Sequence, residues 1–128
     1  MKVALAVWNG RISPVFDVSR ELLVVEIEDG RVINRIGVQF SSDHPIHKVR
    51  RFVDMGVTVL LCGAISRQLA ATLEASGIRR LDFVAGDVES VIAAYLKGAL
   101  PNPEMSMPGC FTRRRRRRGK NRNEKGRI

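Results

Sequence analysis

Aromatic residues are scarce in this chain, and long apolar runs do not occur. Only 5% of the 128 residues are Phe, Trp or Tyr, so aliphatic side chains must fill the core. No stretch approaches the roughly 18 consecutive apolar residues of a membrane span. Met1-Lys2 leads into a short strand-like run, not into the longer apolar run of a secretory signal. The sequence therefore predicts no membrane association and a cytoplasmic location.

Cysteine is rarer still, because Cys62 and Cys110 are the two in the chain. Two cysteines do not make a disulfide framework, and cytosolic thiols stay reduced. They are candidate metal ligands, or else one is a buried core thiol and the other an exposed spare.

Excess charge is absent from most of the chain. Residues 1–112 hold twelve Lys/Arg and twelve Asp/Glu, whereas residues 113–128 hold ten Lys/Arg and one Glu. The net charge of +9 therefore belongs to the last sixteen residues. We expect an α/β domain over residues 1–100, a flexible connector over 101–112, and a disordered basic tail over 113–128, since the tail has almost no apolar residue to bury.

Three strands open the predicted fold. Apolar runs predict strands at Lys2–Trp8, Glu21–Glu28 and Arg31–Phe40, with turn signals at Asn9-Gly10 and Asp29-Gly30. The second and third strands form a hairpin, so this part is predicted to be an antiparallel meander.

Helical spacing appears after residue 41 and alternates with two further strands. A helix is predicted from about Ser42–Pro45 to Gly56, with Ile46, Val49, Phe52 and Val53 on its inward face. Strands follow at Val57–Cys62 and Arg79–Ala85, and helices capped by Ser66 and Asp87 come after them. Because two crossovers make strands parallel, we predict a five-stranded mixed sheet of order 3-2-1-4-5, with strand two antiparallel, in a ribonuclease-H-like α/β fold.

Ligands of open α/β sheets bind beyond the carboxyl ends of the strands, where the winding direction reverses. Here that position lies between strands one and four, at Asn9-Gly10 and Cys62-Gly63-Ala64, with Gly86 at the end of strand five. Glycines allow close approach of a ligand, and helix N-termini near Ser66 and Asp87 favour an anion. Glycines that simply make tight turns explain the same pattern.

Two motifs resemble a known family. The segment from Val3 to Asp17 resembles a strand and its Asn-Gly-Arg-Ile-Ser-Pro loop, and Leu60–Ser66 is similar to a Cys-Gly-x-Ile-Ser step. Both belong to the nitrogenase iron–molybdenum cofactor-binding family, of the NifX, NafY and NifB C-terminal type. The resemblance implies a ribonuclease-H-like fold and a non-catalytic protein that carries or escorts a metal–sulfur cluster between a donor and an acceptor protein.

The candidate site residues follow from these motifs and from the soft or basic side chains near them. Candidate cofactor-binding residues are Asn9, Gly10, Arg11, Ser13, Cys62, Gly63, Ala64 and Gly86. Candidate metal ligands are Cys62, Cys110, His44 and His47, and Met105 and Met107 add soft sulfur atoms. Nearby helix N-termini, which lower the pKa of a thiol, favour Cys62 as a thiolate ligand. Each residue also has a structural alternative: Arg11 could pair with Asp17, Cys62 could be a small core residue, and the histidines could be surface residues.

Two other functions compete with cluster binding. A ribonuclease-H-like nuclease needs several carboxylates around paired metal ions, and the first and fourth predicted strands contain no acidic residue. A nucleic-acid-associated regulatory domain would act through residues 113–128, which suit phosphate backbones without reading sequence.

Removal of residues 112–128 tests the tail. We expect the fold and its thermal midpoint to stay nearly unchanged, and any DNA or RNA binding to disappear, because residues 1–112 are formally neutral. Binding by the whole chain should weaken with salt by about 0.9 log units per log unit of salt for each neutralised phosphate. DNA binding by the shortened chain at moderate salt would contradict this prediction.

Overall fold

Six strands and three α-helices make up the computed structural model, which describes residues 1–40, 45–100 and 105–107. The strands are β1 (Lys2–Trp8), β2 (Arg11–Ile12), β3 (Glu21–Glu28), β4 (Arg31–Gln39), β5 (Val57–Leu61) and β6 (Arg79–Leu81). The helices are α1 (Pro45–Met55), α2 (Arg67–Ala75) and α3 (Val88–Leu96), with a 3₁₀ turn at Phe16–Val18. Most of the predicted connector 101–112, and all of the tail 113–128, lie outside the described residues.

The strands form one mixed sheet of order β4-β3-β1-β5-β6, and β2 pairs with β1 outside that path. Strand β3 is antiparallel to β1 and β4, whereas β5 is parallel to β1 and β6. The prediction of five strands in the order 3-2-1-4-5 is wrong in strand number, and the order in chain numbering differs because β2 was missed. The ribonuclease-H-like classification stays a prediction.

Helices cover both faces of the sheet. On one face, α1 and α2 pack against Ala4, Ala6 and Leu60, and on the other α3 packs against Val3, Leu5 and Leu61. Successive residues of a strand point to opposite faces, so the continuous apolar run of β1 is explained by burial on both sides. Among the described residues, no helix has the length and apolarity needed to cross a membrane.

Helix α1 is rotated relative to its predicted orientation. Val49 and Phe52 are buried as expected, but Ile46 and Val53 are 49% and 53% exposed. Lys48 is 1% exposed and takes an inward position instead. The predicted inward face is therefore wrong at Ile46 and Val53, because contacts made by Lys48 set the rotation of the helix.

Strand β6 is shorter than predicted and ends at Leu81. Phe83 follows with a φ of 61°, a left-handed conformation that a strand cannot contain and that bulky residues rarely adopt. Its N–H donates to the carbonyl oxygen of Gly63 at 2.9 Å. The chain therefore turns across the end of β5 instead of continuing the sheet to Ala85.

The loop after β2 crosses the carboxyl end of β5 at Gly63. A β-carbon at Gly63 would lie 2.5 Å from the carbonyl oxygens of both Ser13 and Pro14. Ala64 is bonded to the same loop, since its N–H donates to Pro14 O and its carbonyl accepts from Phe16 N–H, both at 2.8 Å. This glycine therefore admits the protein's own backbone.

A pair of glycine substitutions tests this close approach. Gly63→Ala should lower the free energy of unfolding by about 3 kcal/mol, because backbone atoms cannot move aside as a flexible side chain can. Gly37→Ala in β4 is the matched control, because nothing lies within 4 Å of its added β-carbon. Its effect should stay within about 1 kcal/mol. Urea unfolding followed by circular dichroism measures both, and equal losses would contradict the prediction.

Candidate functional site

The site begins at a tight turn after β1. Asn9 and Gly10 have φ values of 53° and 76°, and Trp8 pairs with Arg11 across them. A two-residue hairpin turn with both central φ values positive is of type I′, which favours Asn-Gly. The turn leaves Trp8 60% exposed at the rim of the sheet. The sequence signal was visible in Asn9-Gly10, but the short β2 strand that it creates was not predicted.

The loop that follows is fastened to two helices. The backbone N–H of Ser66, at the start of α2, donates to Asp17 Oδ1 at 2.9 Å. The Lys48 ammonium of α1 donates to the carbonyl oxygens of Phe16 and Asp17 at 2.9 and 2.7 Å. The N–H and hydroxyl of Ser19 also donate to Phe16 O, at 3.0 and 2.9 Å. The 3₁₀ turn is thus held at several points.

A groove of about 730 Å³ lies between this loop and the adjoining ends of β3 and β4. Its volume falls within the range of about 300–1,000 Å³ usual for ligand pockets. The apolar part of its lining comes from Val7, Trp8, Pro14, Val15, Val18 and Phe40. The polar part comes from Asn9, Ser13, Ser19, Arg20, Glu21 and Gln39. The groove therefore lies on the β3 side of β1, whereas the position between β1 and β5 is crossed by the loop.

Two of the predicted site residues, Asn9 and Ser13, line the groove. The Ser13 hydroxyl donates to the carbonyl oxygen of Val15 at 3.3 Å, which helps to shape the loop. Gly10 instead borders a second cavity of about 550 Å³, on the α3 side of the sheet. Its carbonyl oxygen accepts from Val88 N–H at 2.9 Å.

Arg11 and Gly86 lie where the hairpin meets the start of α3. Arg11 forms an isolated antiparallel bridge with Asp87, and Gly86 O accepts from Ile12 N–H at 2.9 Å. The Asp17 carboxylate accepts a hydrogen bond from the backbone N–H of Ser66, so this contact, and not a pair with Arg11, holds Asp17 in place. These contacts attach the hairpin to α3.

The two helix N-termini carry caps from the protein itself. Ser66 Oγ accepts from Leu69 N–H at 3.3 Å, and Asp87 Oδ2 accepts from Ser90 N–H at 3.0 Å. The hydrogen bonds from Ser90 hold the pKa of Asp87 below its usual value. The N-termini of α2 and α3 are therefore capped by side-chain oxygens of the protein itself, from Ser66 and Asp87.

Cys62 is fully buried in the core beneath α1 and α2. Burial, reinforced by the nearby charge of Asp82, raises the pKa of its thiol to about 12. The expectation of a lowered pKa is wrong, because desolvation by burial is the largest influence on this thiol and raises its pKa. Gly63 and Ala64 follow it and contact the Ser13–Phe16 backbone as described above.

Of the other predicted metal ligands, the structure describes His47, Met105 and Met107. His47 is exposed on α1, whereas His44 and Cys110 lie outside the described residues. Met105 and Met107 flank Ser106, which pairs antiparallel with Val84. In the part of the chain that the structure describes, no three His, Cys, Asp or Glu residues are grouped closely enough to hold a metal ion.

Several residues around the groove were missed by sequence reasoning. Val18 and Arg20 precede the second predicted strand, whereas Gln39 lies near the end of the third, and only the fold brings Gln39 beside the other two. Lys48 was missed because a lysine in a helix of exposed basic residues is ordinarily a solvated one.

Comparison with known proteins places the chain in context. The sequence profile described as dinitrogenase iron–molybdenum cofactor matches residues 1–98. An uncharacterized protein of Methanocaldococcus jannaschii is 26% identical over 105 residues, which cover 78% of this chain and 89% of that protein.

Two solved structures share the fold. The crystal structure of the protein PH0822 has a TM-score of 0.76 at 23% identity, with 88% of this chain and 98% of that one covered. The apo form of the orange protein from Desulfovibrio gigas has a TM-score of 0.66 at 20% identity, with 82% and 94% covered. At these identities the structures establish the fold alone.

The buried thiol predicts a loss of stability in alkali. The folded-state pKa of Cys62 is raised from 9.0 to about 12, so above pH 9 the unfolded chain loses this proton first. The free energy of unfolding should then fall by up to about 1.4 kcal/mol per pH unit as the pH rises from 9 toward 12.

Urea unfolding of the wild type and Cys62→Ala between pH 8 and 11 measures this effect. All other titratable groups are common to the two proteins, so the difference between them isolates Cys62. The stability difference should shrink, then reverse in sign or vanish, as the pH rises. A difference that stays constant with pH would contradict the prediction.

Proposed function

Because this chain belongs to the dinitrogenase iron–molybdenum cofactor family, we propose that it carries an anionic metal–sulfur cluster as cargo in the groove beside β1. The carrier is non-catalytic, receives the cluster from a donor protein, and passes it to an acceptor protein in the cytoplasm. The observation that carries the proposal is the position of the groove. The loop that resembles the family motif forms its wall, through Ser13, Pro14 and Val15.

The lining of the groove suits a sulfur-rich anion. Trp8, Val15 and Val18 are 60%, 39% and 70% exposed, so they offer apolar surface that cargo could cover. The side-chain amides of Asn9 and Gln39 add hydrogen-bond donors. Soft sulfide ligands are weakly hydrated compared with oxyanions, and a mixed apolar and amide surface therefore favours them. The proposed cargo is a sulfide species of iron, molybdenum or copper.

Carriage without turnover agrees with the acidic content of this surface. Glu21 is the one carboxylate in the lining of the groove. Hydrolysis by paired metal ions requires several carboxylates around them. The geometry therefore supports binding better than it supports a nuclease reaction.

The predicted ligands at the strand ends, Cys62 and Arg11, remain part of the proposal. Their contribution to cargo binding can be distinguished experimentally from that of the groove. Cys62 would have to lose a proton held with a pKa of about 12 to bind metal as a thiolate. If it does so, Cys62→Ala abolishes the charge-transfer absorption of the loaded protein. If the groove alone holds the cargo, the absorption persists in Cys62→Ala and in Arg11→Ala.

Fluorescence of Trp8 offers a direct test, since Trp8 is the one tryptophan in the chain and lines the groove. Anaerobic titration with tetrathiomolybdate, or with iron and sulfide, should quench this emission saturably and give charge-transfer absorption. Val18→Glu should weaken binding by about tenfold or more, because it places a like charge against an anionic cargo.

Val53→Glu on α1 is the matched control. Val53 is 53% exposed and does not line the groove, so it receives the same substitution at a similar surface position. We expect its affinity to equal that of the wild type. Equal weakening by both substitutions would place the cargo elsewhere, and a protein that takes up none of these species would refute the proposed function.

A further inference from the structure

Lys48 is a buried cation that neither the family motifs nor the cargo proposal uses. Its side chain is 1% exposed, and its ammonium donates to the carbonyl oxygens of Phe16 and Asp17 at 2.9 and 2.7 Å. The same nitrogen lies 5.1 Å from the centre of the Phe16 ring and 5.6 Å from that of Phe40. A positive charge is thus enclosed by two carbonyl oxygens and two aromatic faces.

The Lys48 contacts converge on the wall of the groove. Phe16 and Asp17 belong to the Phe16–Val18 3₁₀ turn, which Val15 precedes and Ser19 follows. Val15, Val18 and Ser19 line the groove, as does Phe40. One buried ammonium therefore touches the backbone behind the loop wall and a ring that belongs to the opposite wall.

Carbonyl oxygens at the end of a short helical turn carry partial negative charge, and no further turn follows to supply N–H donors. The N–H and hydroxyl of Ser19 reach Phe16 O. Asp17 O accepts from the Lys48 ammonium at 2.7 Å. A charged donor forms stronger hydrogen bonds than a neutral one, and the aromatic faces stabilise the cation further.

We propose that Lys48 is the positioning residue of the groove, because its buried ammonium ties α1 to the Phe16–Val18 turn and so holds the wall at the spacing that binds cargo. The ligand-binding readout rests on the function proposed above. The positioning role itself is a property of the free protein and can be measured without cargo.

Three variants separate this role from general stability and from net charge. Lys48→Met keeps the apolar stem and removes every donor, whereas Lys48→Gln removes the charge and keeps an N–H donor. Arg51→Met is the matched control, because Arg51 is exposed on the same helix and the substitution removes the same charge.

Amide hydrogen exchange in the free protein is the first measurement. Lys48→Met should speed exchange at the amides of Phe16, Ser19 and Ser66, which bond within or beside the turn. Amides in the β3–β4 pairing should keep their wild-type rates. Lys48→Gln should show a smaller change, and Arg51→Met should show none.

Tetrathiomolybdate affinity, followed by Trp8 fluorescence, is the second measurement. We expect about a tenfold loss in Lys48→Met, partial recovery in Lys48→Gln, and no loss in Arg51→Met. If Lys48→Met speeds exchange only around the turn but the wild type binds no cargo, the positioning role is sustained and the proposed function is refuted.

Four results would overturn the inference. Exchange that rises uniformly across the sheet would make Lys48 a general stability residue. Failure of both Lys48 variants to fold would mean the same. If Lys48→Met bound tetrathiomolybdate with wild-type affinity, the position of the turn would not matter for binding. If Arg51→Met weakened binding as much as Lys48→Met, the loss of affinity would come from net charge alone.

Discussion

The backbone of Ser13 and Pro14 lies so close to Gly63 that there is no room for a β-carbon. A β-carbon added at Gly63 would lie 2.5 Å from the carbonyl oxygen of each residue. This contact decides where the chain goes after β2. Since the loop crosses the end of β5, its N–H and carbonyl groups pair with Ala64, and Asp17 reaches the first turn of α2. The same crossing covers the position between β1 and β5. The open surface is therefore displaced to the other side of the loop, where β3 begins and β4 ends.

Local chemistry explains why much of the fold could be predicted from the sequence. The bounds of β1 and β3 match their apolar runs, and Asp29-Gly30 forms the hairpin turn with φ values of 53° and 74°. Ser66 and Asp87 cap α2 and α3 through their own side chains. Each of these features depends on a few adjacent residues, so the pattern of residue types contains the necessary information.

Features that depend on tertiary contacts were not predictable in the same way. The rotation of α1 depends on Lys48 meeting carbonyl oxygens that are 31 and 32 residues away along the chain. The early end of β6 depends on the left-handed conformation of Phe83, whose N–H bonds to Gly63. Helical spacing and β propensity carry no record of either contact.

The candidate site falls between these two cases. Topology directs attention to the carboxyl ends of the strands, and Asn9 and Ser13 line the groove beside the end of β1. Topology does not reveal which side of the loop is open, because the path of the loop depends on the absence of a side chain at Gly63. Glycine in a motif therefore has two physical meanings, close approach of a ligand or close approach of the chain, and only the structure distinguishes them.

A carrier must release what it binds, and the proposed groove is consistent with this requirement. A thiolate such as that of Cys62 would bind metal directly, but its pKa of about 12 keeps the proton in place near neutral pH. Apolar contacts with Trp8 and Val18 and hydrogen bonds from amides are individually weak, so cargo held by them can leave without breaking a metal–protein bond. Weak contacts give useful affinity only if they are already in place before the cargo arrives. The several hydrogen bonds that hold the Phe16–Val18 turn meet that condition, because they fix the wall in the absence of any ligand.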